Sequence, residues 1–234
     1  MAGLKFFSLA AAAVCLLAKE AQAADPANKA ERVNCTTEMN VPRVGAGFAQ
    51  LQVNLEQLKL PITETDSTTY IKGVCDAMKK YESGTAPTLE TTKPEGTFAY
   101  AVQTGDSADC KAAVDSWKKA FSNFNGLPPA GKDGGDLYKN PANVSLIALF
   151  NPDEKPFLDC AYFTCPAAAA KAGSAEEKDL KALLCVTKPK ALVTDKAPFT
   201  EEQWGKIDAA VNSGSAAVPT FLAVLAAAVA TLFL

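Results

Sequence analysis

The sequence has no histidine, and that absence excludes more than any residue present. Ser-His-Asp and Cys-His nucleophile systems need an imidazole to take and return a proton, and His-containing zinc sites need it as a ligand. Basic charge is not in excess either: 23 Lys and Arg stand against 26 Asp and Glu, a net charge of −3. That balance argues against nucleic acid as a partner, because neutralising phosphates requires a basic face. Arg32 and Arg43 are the only arginines beside 21 lysines, which favours weak ionic adhesion over bidentate recognition of phosphate or sulfate.

Long uncharged apolar runs occur only at the two ends. Lys5 precedes the 13 residues Phe6–Ala18, and Ala21-Gln22-Ala23 offers a small-residue cleavage site. This layout predicts a secretory signal peptide over residues 1–23. Its removal takes Cys15 away and leaves six cysteines, an even number suited to an oxidising compartment. At the other end Val218–Leu234 is apolar for 17 residues, preceded by the small residues of Asn212-Ser213-Gly214-Ser215-Ala216-Ala217. The pattern predicts a glycosylphosphatidylinositol (GPI) signal, with 213–234 as the removed propeptide. Asn212 is the expected attachment residue, with Ser213 and Gly214 as alternatives. A retained short membrane helix is the competing reading, since 17 residues rise roughly 25 Å, marginal for a span.

Residues 24–212 leave 189 positions, enough for one well-buried core. Residues 24–34 read as a polar lead-in. Cys35, Met39 and Phe48 suggest a first helix kept short or kinked by Pro42, Gly45 and Gly47. After Asp66, a capping residue, Tyr70, Ile71, Val74, Cys75 and Met78 mark one apolar helical face. Thr97–Val102 predicts a short strand. Cys110, Ala113, Val114, Trp117, Phe121 and Phe124 predict a helix, which Gly126-Leu127-Pro128-Pro129 ends. Val144–Phe150 and Phe157–Thr164 read as buried strands in a hairpin-like pair, and Leu180–Val186 as a third strand. Thr200-Glu201-Glu202-Gln203 is a capping box, with Phe199 and Trp204 placed as a hydrophobic staple. Residues 82–96, 130–142 and 166–179 read as exposed loops. The sum is one α/β (α+β) domain, helices leading and an antiparallel sheet following.

The motifs that could carry chemistry are weak. Gly126-Leu127-Pro128-Pro129-Ala130-Gly131-Lys132 fits G-x-x-x-x-G-K, but Asp133 stands where magnesium binding requires Ser or Thr. Its prolines also remove N–H groups that should face phosphate, so the stretch reads as a helix stop and a turn. Glu176-Glu177 and Glu201-Glu202 read as solvated pairs, the second favoured by a helix dipole. Asn143-Val144-Ser145 and Asn34-Cys35-Thr36 are glycosylation sequons, with Asn143 the better candidate because a disulfide would claim Cys35. Cys35, Cys75, Cys110, Cys160, Cys165 and Cys185 are expected to form three disulfides. Cys160-x4-Cys165 is a loose metal spacing, and six cysteines allow 15 pairings. No cofactor or metal is implied.

Several stretches resemble the Eimeria surface antigen (SAG) family. They are Asp109-Cys110 through Trp117-Lys118, Phe124-Asn125-Gly126-Leu127-Pro128-Pro129, Asn143-Val144-Ser145 through Asn151-Pro152, and Pro198-Phe199-Thr200-Glu201-Glu202-Gln203-Trp204. The resemblance implies a GPI-anchored coat protein of a coccidian parasite, displayed on the outer leaflet for host-cell contact and recognition by antibodies. It implies a fold like the CAP (cysteine-rich secretory protein, antigen 5, pathogenesis-related) α-β-α sandwich. By that analogy the pairs would be Cys160–Cys185, Cys165–Cys75 and Cys35–Cys110. CAP clefts usually carry two histidines and two acidic residues; with no histidine, that tetrad cannot exist here.

The expectation is therefore a non-enzymatic surface antigen. A lipid- or sterol-binding module is the alternative, to be told apart by a deep apolar pocket. A hydrolase would need two buried acidic residues facing each other in a cleft.

Overall fold

The computed structural model describes residues 27–54, 59–62, 67–82, 95–167 and 179–212. The expected signal peptide, the propeptide, Asp66 and Glu176-Glu177 lie outside the described residues, as do 83–94 and 168–178 of the expected loops.

Two long strands form the centre. β4 (Phe157–Cys165) and β5 (Leu180–Lys188) pair antiparallel from Phe157 opposite Lys188 to Cys165 opposite Leu180. Both are buried on both faces, so their sequences are nearly continuous apolar runs. β3 (Thr97–Gln103) pairs antiparallel with β5, and β1 (Lys29–Val33) antiparallel with β4. The two-residue β2 (Gln52–Val53) runs parallel to the start of β4, so the order is β1-β4-β5-β3 with β2 also beside β4.

Successive strand side chains point to opposite faces, and both faces are covered. On one, Leu158, Cys160, Tyr162, Leu183 and Cys185 share a core with α1 (Thr36–Gly45), α3 (Cys110–Lys119), α4 (Pro141–Leu149) and α5 (Glu201–Asn212). On the other, Ala161, Phe163, Cys165, Leu184 and Val186 meet Tyr70, Val74, Cys75 and Met78 of α2 (Ser67–Glu82). The result is α+β, an antiparallel sheet with helices on both sides.

Val144–Phe150 is not a strand but most of α4. Asn140 caps the helix by accepting from the Ala142 N–H at 3.0 Å, and Pro141 opens it, where a missing N–H costs nothing. The helix packs on both β3 and α3, and six of its residues are buried. With no polar face, a buried helix and a buried strand give the same apolar run. The expected hairpin falls with it, because β4 takes β5 and β1 as its antiparallel partners.

Residues 24–34 also need correction: Lys29–Val33 is an edge strand, short and charged, as exposed edges commonly are. Helices and strands consequently interleave along the chain. The expected loop 130–142 holds a 3-10 turn at Gly135–Lys139 and the start of α4. α1 is ten residues long and keeps Pro42 buried inside it. α3 ends at Lys119 and continues as a 3-10 turn over Ala120–Asn123.

The Gly126–Lys132 stretch is a packed turn. Gly126 sits at φ +120°, and the Gly131 N–H donates to the Val193 carbonyl at 2.8 Å, where a Cβ on Gly131 would lie 2.6 Å from that oxygen. The capping box of α5 closes both ways. Thr200 Oγ1 accepts from the Gln203 N–H at 3.2 Å, and Gln203 Oε1 accepts from the Thr200 N–H at 2.9 Å. Phe199 and Trp204 stack with ring centroids 5.8 Å apart.

Candidate functional site

Three disulfides fasten the layers. Cys35–Cys110 joins the residue capping α1 to the first residue of α3, across a separation of 75 residues. Cys75–Cys165 joins α2 to the end of β4 across 90 residues. Cys160–Cys185 links residues directly opposite each other on β4 and β5. Bridges of this length stabilise chiefly by restricting the unfolded chain, typically by ~2–4 kcal/mol each. The sulfurs of Cys35, Cys160 and Cys185 lie within 4.8 Å of one another. Each is spent in a disulfide and is not the thiolate that a metal ion takes as ligand.

Buried charge is used for architecture. Asp159, on the α2 side of β4, pairs with Arg32 of β1 and accepts from the Leu60 N–H at 2.7 Å. Arg32 Nη2 in turn donates to the Leu60 carbonyl at 3.0 Å, so this pair pins residues 59–62 to the sheet. Asp159 is the one buried carboxylate among the described residues, and it faces a guanidinium rather than a second acid. Arg43 is wholly buried in α1 and donates to the carbonyls of Ala49, Leu149 and Asn151. Burial lowers its pKa to about 10, which leaves it charged at neutral pH.

The surface acids behave differently. Glu201 and Glu202 are both exposed, and Glu202 pairs with Lys206 at 2.7 Å. The hydrogen bond from Lys206 holds the Glu202 carboxyl below its ordinary value.

The two sequons have opposite surroundings. Asn143 is 2% exposed on α4. Its Nδ2, the atom a glycan would occupy, donates to the Leu137 carbonyl at 2.9 Å, and its Oδ1 accepts from Asn123 at 2.7 Å. Asn34 is exposed ahead of α1, with its Oδ1 accepting from the Thr36 N–H and hydroxyl. Asn212 is the exposed last residue of α5 and donates to Asp208, while Trp204 and Ile207 hold that helix to the body. Ser213 and Gly214 lie outside the described residues.

Two clefts of the described surface bear on ligand binding. One of about 440 Å³ between the end of β3 and α3 is lined by Gln103, Thr104, Ser107, Asp109 and Ser116 among others, a mixed rather than apolar wall. A more apolar one of about 240 Å³, beside Val33, Val53 and Leu158, is smaller than the usual 300–1,000 Å³ of ligand pockets. No helix among the described residues is long and apolar enough to cross a membrane.

The buried guanidinium of Arg43 and the Arg32–Asp159 pair escaped the sequence reading. One signal was available for the pair, a carboxylate inside the otherwise apolar Phe157-Leu158-Asp159-Cys160 run.

Comparison with known proteins decides the family. The model of the sporozoite surface antigen (SAG) protein domain matches residues 31–225. The chain belongs to that family. The sporulated oocyst TA4 antigen of Eimeria tenella is 30% identical over 222 residues, covering 88% of this chain and 85% of the relative. No solved structure matches significantly. In this SAG-family chain the three disulfides tie α1 to α3, α2 to β4, and β4 to β5.

Proposed function

We propose that this SAG-family protein is a GPI-anchored antigen of a parasite cell surface, displaying a CAP-like ectodomain for host-cell attachment and immune interaction without catalysis. Residues 1–23 direct secretion, 24–212 form the ectodomain, and 213–234 are exchanged for the anchor at Asn212, with Ser213 or Gly214 as neighbouring choices. The protein then sits on the outer leaflet of the plasma membrane, and its partners are a host-cell surface and antibodies rather than nucleic acid.

One juxtaposition carries the reading. A disulfide-stapled body ends in a packed helix at Asn212, and the sequence passes directly into small residues and then an apolar run. Small residues followed by an apolar tail stand in the order of an anchor signal, here with a short spacer between them. A rigid scaffold with loops carried on it suits recognition, because loops tolerate change that a core does not. The non-enzymatic part is supported by the missing histidine and by a buried carboxylate committed to Arg32.

The test combines labelling and binding. Antibodies to the protein should stain intact, unpermeabilised parasites, and purified protein should bind host cells saturably, with the same antibodies blocking it. Staining only after permeabilisation, or binding that never saturates, would overturn the proposal.

A further inference from the structure

The most exposed large apolar side chains among the described residues are Val41 and Val44, 71% and 53% exposed on α1. With Thr37 and Gly45 they form the outward face of that helix, bordered by the half-exposed Glu38 of its first turn. The one basic residue of its last turn, Arg43, is turned into the core. The far end of this face meets the end of α5, since a Cβ built on Gly45 would lie 4.0 Å from the Cβ of Ala210. Ala210 is two residues before Asn212. At 1.5 Å per residue along each helix, the valines lie roughly 15 Å or less from the point where the described chain ends.

We infer that this face of α1 rests on the outer leaflet of the membrane, its valines touching lipid. The inference depends on the anchoring proposed above, because an anchor attached at residues 212–214 holds the neighbouring surface beside the bilayer. Tethering makes the contact intramolecular, with an effective concentration in the mM range for a short link, so a weak apolar contact is enough to populate it. The same weakness argues against a protein partner. A stable interface buries ~1,200–2,000 Å², far more than two valines on one turn supply. An exposed aliphatic pair beside a lipid attachment point matches lipid in chemistry and in place, with Glu38 one turn further from that point. The domain would then lie with α1 and the end of α5 towards the membrane.

The experiment uses the full anchored protein, purified and reconstituted into phosphatidylcholine vesicles brominated on their acyl chains. Val41→Trp reports lipid contact through loss of tryptophan fluorescence, and Val193→Trp, exposed on the segment between β5 and α5, is the control. Both sites are exposed, and an unchanged unfolding midpoint confirms an intact fold. The expected result is at least twofold quenching of the Val41→Trp signal over wild type, none for Val193→Trp, and recovery when phosphatidylinositol-specific phospholipase C releases the protein. Equal, unquenched signals from the two variants, with release still complete, would overturn the inference and leave the anchor standing. Quenching without release would refute the anchor and keep the contact. Dimerisation of released protein that Val41→Asp abolishes would overturn the inference in favour of a second copy as occupant.

Discussion

The indole Nε1–H of Trp117 donates to the main-chain carbonyl of Tyr100 at 2.8 Å, joining α3 to the edge strand β3. The N–H of the same residue donates to Ser145 Oγ of α4, also at 2.8 Å. Tyr100 therefore turns both main-chain groups to helix side chains, and a strand at the edge of the sheet is closed to pairing with another chain at that point. Trp117 and Ser145 are fully buried, so neither bond can be replaced by solvent.

Trp117→Phe should destabilise the domain by about 1–3 kcal/mol, the cost of stranding a buried acceptor, and Ser145→Ala by a similar amount. Urea unfolding checks this. The midpoint should fall while the slope with denaturant stays unchanged, because the surface exposed on unfolding is the same.

Arg43 presents the same physics with a charge. It serves the carbonyls of Ala49, Leu149 and Asn151, the second of these at the end of α4. Arg43→Met keeps the apolar stem but strands three acceptors, at a cost of about 3 kcal/mol or more. Arg43→Lys should recover only part of the loss, since an ammonium is a point donor without the planar fork. Thermal unfolding of the two variants beside wild type reads the order directly.

All five tyrosines should titrate late. Burial raises the pKa of Tyr138 to about 12 and raises those of Tyr70, Tyr81, Tyr100 and Tyr162, with Glu82 adding to the effect at Tyr81 and Tyr100. Above the ordinary value near 10, the unfolded chain has lost protons that the folded one keeps, so stability falls as pH rises. Below that value their contribution is fully present. An ultraviolet titration should show tyrosinate appearing later than for free tyrosine, with the deeply buried tyrosines ionising together with unfolding; early ionisation of all five would contradict the packing.

Asn143 should carry no glycan. Its amide is enclosed in α4 with both atoms bonded, and a sugar there would have to displace Leu137 and Asn123. Peptide mapping of protein from the parasite surface should return the Asn143 peptide at its unmodified mass.

The sequence revealed elements that have a wet side and a dry side. The stripe from Tyr70 to Met78, the capping box at Thr200–Gln203 and the stop at Gly126 each produce a local pattern of their own. It could not reveal what is decided by position within the layers. α4 shows no solvent-facing polar stripe because most of it is enclosed, Asn143 and Ser145 included, and no period in Val144–Phe150 distinguishes it from β4. β1 has no strand signature because it is an edge whose partner lies more than a hundred residues away. Among the functional features, the even set of six cysteines was countable, but any pairing had to come from family resemblance. Arg43 looks like any surface arginine until Ala49, Leu149 and Asn151 are brought around it.

The central claim is that this domain is held at the outer leaflet by a lipid anchor near Asn212. Phosphatidylinositol-specific phospholipase C applied to intact cells tests it most directly. The account predicts that surface staining for the protein falls away while the full ectodomain, still recognised by antibody and still disulfide-bonded, appears in the medium. Retention on the cells, under treatment that releases other anchored proteins completely, would contradict it.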